Sequence, residues 1–187
     1  MKALAIYAGP KAREKLAREG LSSADIRTVA GAAGGPKGLI LGPLDRFLFG
    51  HWLPQSDQAV DLVGASIGAC RMATACMKEA AREFERFERD YIAQHYPLEA
   101  GERRPPAKRV SALFEQTLNA WYADQLQALV HHPKYRLHVL TSRGRGPLAR
   151  ERGWRTVAGF ARWPPAKSWP TSGRPPGRPT SGGSCPR

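Results

Sequence analysis

The residues best suited to chemistry are Gly64-Ala65-Ser66-Ile67-Gly68, which follow the β-like run Val60–Val63. A serine between two glycines at a strand-to-helix junction can sit on a sharp, strained turn, with its hydroxyl exposed as a nucleophile toward a carbonyl carbon. The same glycines also suit a purely structural reading, in which they relieve crowding where a strand meets a helix. About 30 residues upstream, the spacing of one strand-helix-strand step, lies a second glycine-dense stretch, Gly31-Ala32-Ala33-Gly34-Gly35-Pro36-Lys37-Gly38. Gly34, Gly35 and Gly38 can aim backbone N–H groups at an anion without side-chain obstruction, and the positive end of the following helix adds to that field. Acyl transfer needs such donors for the developing oxyanion, each contributing roughly 3 kcal/mol to the transition state. A tight turn without a ligand is the competing reading. The phosphate-binding form G-x-x-x-x-G-K followed by Ser or Thr is absent, and a dinucleotide G-x-G-x-x-G ending at Gly38 would need glycine where Ala33 stands.

A serine nucleophile needs a base. Of the histidines, His138 falls on a candidate strand, whereas His51, His95, His131 and His132 fall at helix ends or loops and read as surface residues. No carboxylate is placed by spacing to complete a Ser-His-Asp triad, and His138 is expected to be packed or hydrogen-bonded within the sheet.

Several elements are needed to hold these residues in place. Leu4–Ala8 reads as a short strand or buried edge segment closed by Gly9-Pro10. Lys11–Glu19 has helical composition ending at Gly20, Ser22 or Ser23 with Asp25 offers a turn, and Ile26–Ala30 is β-like. Leu39–Phe49 has helical spacing through Ile40, Leu41, Leu44, Phe47 and Leu48. From Ala69 to Tyr91, apolar residues recur at three- and four-residue intervals, which predicts one long amphipathic helix with a solvated face of Lys78, Glu79, Arg82, Glu83, Glu85, Arg86 and Glu88. Leu98–Lys108 reads as a loop, Val110–Val130 as a helix and Tyr135–Thr141 as a strand. The alternation predicts an α/β fold, a parallel sheet covered by helices on both faces.

The composition, 42% hydrophobic and 24% charged, is that of a globular domain, but the formal charge of +13 is unevenly spread. Residues 143–187 hold ten Lys or Arg against one acid, a net of +9, so residues 1–142 carry only +4. The same segment holds eight prolines and eight glycines, and Leu148 and Val157 are its only Leu, Ile or Val. Too little apolar surface is present to offset the entropy of ordering, so a Pro/Gly/Arg-rich disordered tail is expected over 143–187, after a folded part over 1–142. Its mixture of Arg, Pro, Gly, Ser and Trp also resembles a GC-rich message read out of frame, and a frameshifted or truncated reading after Arg150 is the preferred explanation, against a natural basic linker or RNA-binding tail. Three cysteines, Cys70, Cys76 and Cys185, provide neither a disulfide framework nor zinc-site spacing. The short apolar run before Pro10 is neither a signal-peptide core nor a membrane span, so a cytoplasmic location is expected.

Together the two glycine motifs resemble the patatin-like phospholipase family, whose pattern is G-G-G-x-(Arg or Lys)-G, then G-x-S-x-G, then D-G-G or D-G-A. Here Ala33-Gly34-Gly35-Pro36-Lys37-Gly38 carries Ala33 in place of the first glycine and Lys37 at the basic position, while Gly64–Gly68 is intact. The resemblance spans residues 1 to about 150. It implies a parallel-sheet hydrolase core in which Ser66 attacks a lipid or other acyl ester. Gly34, Gly35, Lys37 and Gly38 would lie at the oxyanion site, and an aspartate would activate the serine directly, without histidine, cofactor or metal. The third motif is missing: none of Asp25, Asp45, Asp57, Asp61, Asp90 and Asp124 is followed by glycine. Loss of one member of such a unit costs factors on the order of 10⁴ to 10⁶, so the expectation is an incomplete core with little or no ester turnover. The expected partners are an acyl ester substrate and a peripheral membrane surface, with no specific nucleic acid. The competing class is a non-catalytic module whose basic tail engages polyanions, nucleic acid or anionic membrane, through phosphate contacts.

Overall fold

The structure, a computed structural model, describes residues 5–145. Most of the tail expected over 143–187 therefore lies outside the described residues, and every element below belongs to the unit Met1–Thr141. The first helix, α1, spans Pro10–Glu19; proline suits its first turn, and Gly20 ends it at φ 76°. A single 3₁₀ turn, Ser23–Asp25, follows, capped by Ser22 Oγ accepting the Ala24 N–H at 3.3 Å and by Asp25 Oδ2 accepting the Ser22 N–H at 2.9 Å. Strand β1 is Thr28–Gly31. The glycine loop then winds into a 3₁₀ segment, Gly35–Leu41, that runs on into the short helix α2, Gly42–Phe47. A wide turn over Leu48–Trp52 leads toward strand β2, Val60–Ala65. Helix α3 is Ile67–Ala75, α4 Ala80–Ile92, α5 Ala107–Tyr122 and α6 Leu126–Val130, before strand β3 at Tyr135–Leu140.

The three strands form one parallel sheet in the order β1-β2-β3, with Gly31 beside Gly64, Val63 beside His138 and Ala65 beside Leu140. The chain is thus of the mixed α/β class. Among the described residues its core lies on one face. Val60 and Leu62 of β2 are fully buried in a cluster with Met72 of α3, Cys76 just past its end, Phe84 of α4, Leu129 of α6, and Phe49 and Leu53 from the turns after α2. A smaller cluster, Ile67, Phe87 and Trp121, joins α3, α4 and α5, with the Phe87 and Trp121 rings edge-on at 4.9 Å.

The structure corrects the sequence reading at several places. Among the described residues the sheet is covered on one face rather than both. The opposite face presents Thr28, Ala30, Arg136, His138 and Leu140 as exposed residues flanking a half-buried row of Asp61, Val63 and Ala65. The polar identity of Asp61, Arg136 and His138 explains how that face tolerates water. The segment expected as an N-terminal strand is irregular from Ala5 to Gly9, with Ile6 63% and Tyr7 94% exposed, because no neighbouring strand pairs with it. The single long helix expected over Ala69–Tyr91 is two helices. Glu79 takes a left-handed conformation at φ 54°, and the break turns α4 so that Phe84 stacks on Phe49 at 5.8 Å. The Lys78 N–H freed by the break donates to Gln125 Oε1 at 2.9 Å, so the interruption leaves that donor satisfied. The helix expected over Val110–Val130 begins earlier, at Ala107, and is interrupted by a 3₁₀ turn at Ala123–Gln125. The helix expected over Leu39–Phe49 is α-helical only from Gly42 to Phe47.

Candidate active site

The glycine loop, the Ser66 turn and the end of β3 converge at the carboxyl ends of the strands, where open parallel sheets bind ligands. Ser66 joins β2 to α3 at φ 54° and ψ −128°, and its carbonyl accepts the Ala69 and Cys70 N–H groups at 2.9 and 3.3 Å, so α3 starts directly from it. With Glu79 it is one of two described non-glycine residues at positive φ, a backbone state that costs on the order of 1–3 kcal/mol and concentrates at functional turns.

The flanking glycines are required by close approach of backbone to backbone. A Cβ on Gly68 would lie 2.0 Å from the Gly31 carbonyl oxygen and 2.7 Å from that of Ala32. A Cβ on Gly64 would lie 2.5 Å from the Ala69 Cα. The start of the glycine loop is therefore pressed directly onto the first turn of α3, a contact available only without side chains. Gly38 lies over the residue after the serine, since its Cβ position is 3.1 Å from Ile67 Cγ1 and Cγ2. Gly34 and Gly35 face open space, with Gly34 extended at φ 170° and Gly35 left-handed at φ 56°. Lys37 is exposed and makes no ion pair among the described residues.

A cavity of about 400 Å³ opens at Ser66. Ile67, Ala69, Cys70 and Ala73 of α3 form one wall, Tyr91 of α4 with Phe114, Leu118 and Tyr122 of α5 the second, and Val139, Leu140 and Thr141 at the end of β3 the third. Among the described residues its lining contains no aspartate, glutamate, histidine, lysine or arginine. The groups in it that can ionise stay neutral, since burial raises the Cys70 thiol and the Tyr91 and Tyr122 phenols above their ordinary values. The Tyr122 hydroxyl is anchored on α3, donating to the Cys70 carbonyl at 3.0 Å and lying 3.2 Å from Thr74 Oγ1.

No side-chain hydrogen bond to Ser66 Oγ is present among the described residues. His138 does not serve it. Its Nε2 lies 3.0 Å from Asp61 Oδ1, at the opposite end of β2, and five residue steps of strand place Asp61 roughly 16 Å from the serine. Asp61 is also held by Arg136 through bonds of 2.8 and 2.9 Å. Three other aspartates are engaged elsewhere: Asp25 with Lys15, Asp45 with Arg71 and Asp90 with Trp121 and neighbouring arginines. No group of three or more His, Cys, Asp or Glu that could hold a metal ion occurs among the described residues. No described helix is long and apolar enough to cross a membrane. No family model, curated protein or solved structure matches the chain.

Sequence reasoning missed Gly31, Asp45, Arg71 and the cavity lining from α5. Gly31 was visible as part of the glycine run, but its role depends on a neighbour 37 positions away. Arg71, a charge surrounded by Ile67, Cys70, Met72 and Ala73, was the one signal of a buried ion pair.

Proposed function

We propose that Ser66 is the nucleophile of a serine acyl-hydrolase site of patatin-like form, directed at apolar acyl esters. The observation that carries this reading is the coincidence at one residue of a strained strand-to-helix serine, a glycine loop seated on its helix and an uncharged cavity opening beside it. In this reading the hydroxyl attacks the ester carbonyl, amides of the Gly34–Gly38 loop receive the developing oxyanion, and the acyl chain lies in the cavity against Phe114, Leu118 and Val139. An uncharged lining favours an alkyl chain over a charged substituent, which would lose its hydration without a partner.

The described residues offer Ser66 no general base, so attack on a stable ester is slow, by factors on the order of 10⁴ to 10⁶ relative to a completed unit. An alkyl fluorophosphonate, which carries its own strongly activated phosphorus, tests the site under less demanding conditions. Incubation of the full chain should modify Ser66, and Ser66→Ala should abolish the modification. Labelling spread over other serines, or unchanged in Ser66→Ala, would overturn the assignment.

A further inference from the structure

We infer that the buried Asp45–Arg71 pair is the positioning device that holds the glycine loop at a fixed spacing from the Ser66 turn. This rests on the reading of Ser66 as nucleophile and goes beyond it, because neither residue touches the hydroxyl. Arg71 is on α3, five residues past Ser66, and Asp45 is on α2, the helix into which the glycine loop runs. Arg71 Nε donates to Asp45 Oδ2 at 2.6 Å and Nη2 donates to Oδ1 at 2.7 Å. The two side chains are 8% and 3% exposed, so the fork is shielded from competing water.

Three observations tie the pair to the loop. It is the one side-chain hydrogen bond or ion pair, among the described residues, between the loop with α2 and the turn with α3. The stem of Arg71 runs beneath the loop, its Cδ 3.6 Å from the Cβ position of Gly38. Gly38 is therefore held between Ile67, next to the nucleophile, and the arginine that fastens the following helix. A bidentate guanidinium-carboxylate pair fixes distance and orientation together, whereas apolar contacts of similar size allow sliding. Burial of such a pair brings little net stability compared with an apolar replacement, so its presence here is explained by geometry more than by folding energy.

The two roles separate experimentally. Replacing both partners together, Asp45→Leu with Arg71→Met, keeps the volume apolar and should leave the melting temperature close to native. If the pair positions the loop, amide hydrogen exchange over residues 35–41 should accelerate about tenfold, while exchange within α3 stays native and fluorophosphonate labelling of Ser66 slows about tenfold. Arg71→Lys keeps the charge but not the fork, and gives the same two readouts if the double replacement does not fold. Native exchange over 35–41 in a folded variant would overturn the proposal, as would faster loop exchange with labelling at the native rate. Should the native chain fail to label at Ser66, the hydrolase reading falls, and hydrogen exchange alone decides whether the pair holds the loop.

Discussion

Gly68→Ala should disrupt the site more than any other single methyl group added to it. The new Cβ would sit 2.0 Å from the Gly31 carbonyl oxygen and 2.3 Å from its carbon. Both are backbone atoms, so no rotamer change relieves the clash, and the loop must move away from α3 by about 1 Å to restore a tolerable contact. Overpacking of this kind costs about 1–3 kcal/mol, and the gain of roughly 1 kcal/mol from replacing glycine in a helix offsets only part of the upper range. A net loss of up to about 2 kcal/mol follows, equivalent to a fall of up to roughly 1 M in the urea midpoint at ordinary m values. A 1 Å misplacement of catalytic groups can cost about 10²-fold in rate, so fluorophosphonate labelling of Ser66 should slow by a similar factor. Gly34→Ala is the control: its Cβ meets nothing within 4 Å and its φ is 170°, so its stability should stay within about 0.5 kcal/mol of native. Native stability and labelling in Gly68→Ala, or equal damage from Gly34→Ala, would refute the claim that the loop is seated on the turn.

Four further outcomes are expected. Ser66→Gly should leave the protein as stable or more stable, by up to about 2 kcal/mol, because release of strain at φ 54° outweighs the added freedom of the unfolded chain; thermal melting reads this, and a clear loss would argue against strain at the turn. Arg136, and then His138, hold the Asp61 carboxyl below its ordinary value. A group with a depressed folded value stabilises above its unfolded value near 4 and loses that contribution as pH falls through the folded one, so urea midpoints should fall below about pH 4, and Asp61→Asn should flatten that fall. Burial pushes the Cys76 thiol up to about 12, so iodoacetamide at neutral pH should spare Cys76 until the chain is unfolded, as peptide mass spectrometry would show. Hydrolysis of p-nitrophenyl esters should be near background; substantial turnover that Ser66→Ala abolishes would show that a base reaches the serine after all.

The local geometry of the site was legible because glycine carries a strong signal. Gly64, Ser66 and Gly68 after an apolar run specify a strand-to-helix turn, and the run from Gly31 to Gly38 specifies a loop that backbone can approach closely. Parallel pairing of β1, β2 and β3 also followed from the alternation of β-like and helical segments. The helix break at Glu79 was not legible, since no glycine or proline marks it and the burial of Met77 and Phe84 that accompanies it depends on distant partners. The same holds for Asp45 and Arg71. On a helix a charge reads as solvent-facing, and only tertiary packing brings two of them into one buried fork. The bare face of the sheet was likewise hidden, because Asp61, Arg136 and His138 satisfy one another across neighbouring strands rather than along the chain.

The most direct test of the account is a crystal structure of the chain after reaction with a long-chain alkyl fluorophosphonate. The account predicts phosphorus bonded to Ser66 Oγ, a phosphoryl oxygen within hydrogen-bond reach of amides between Gly34 and Gly38, and the alkyl chain in the cavity beside Phe114 and Leu118. An adduct whose oxygen faces solvent with those amides turned away, or a crystal in which Ser66 remains unmodified, would contradict it.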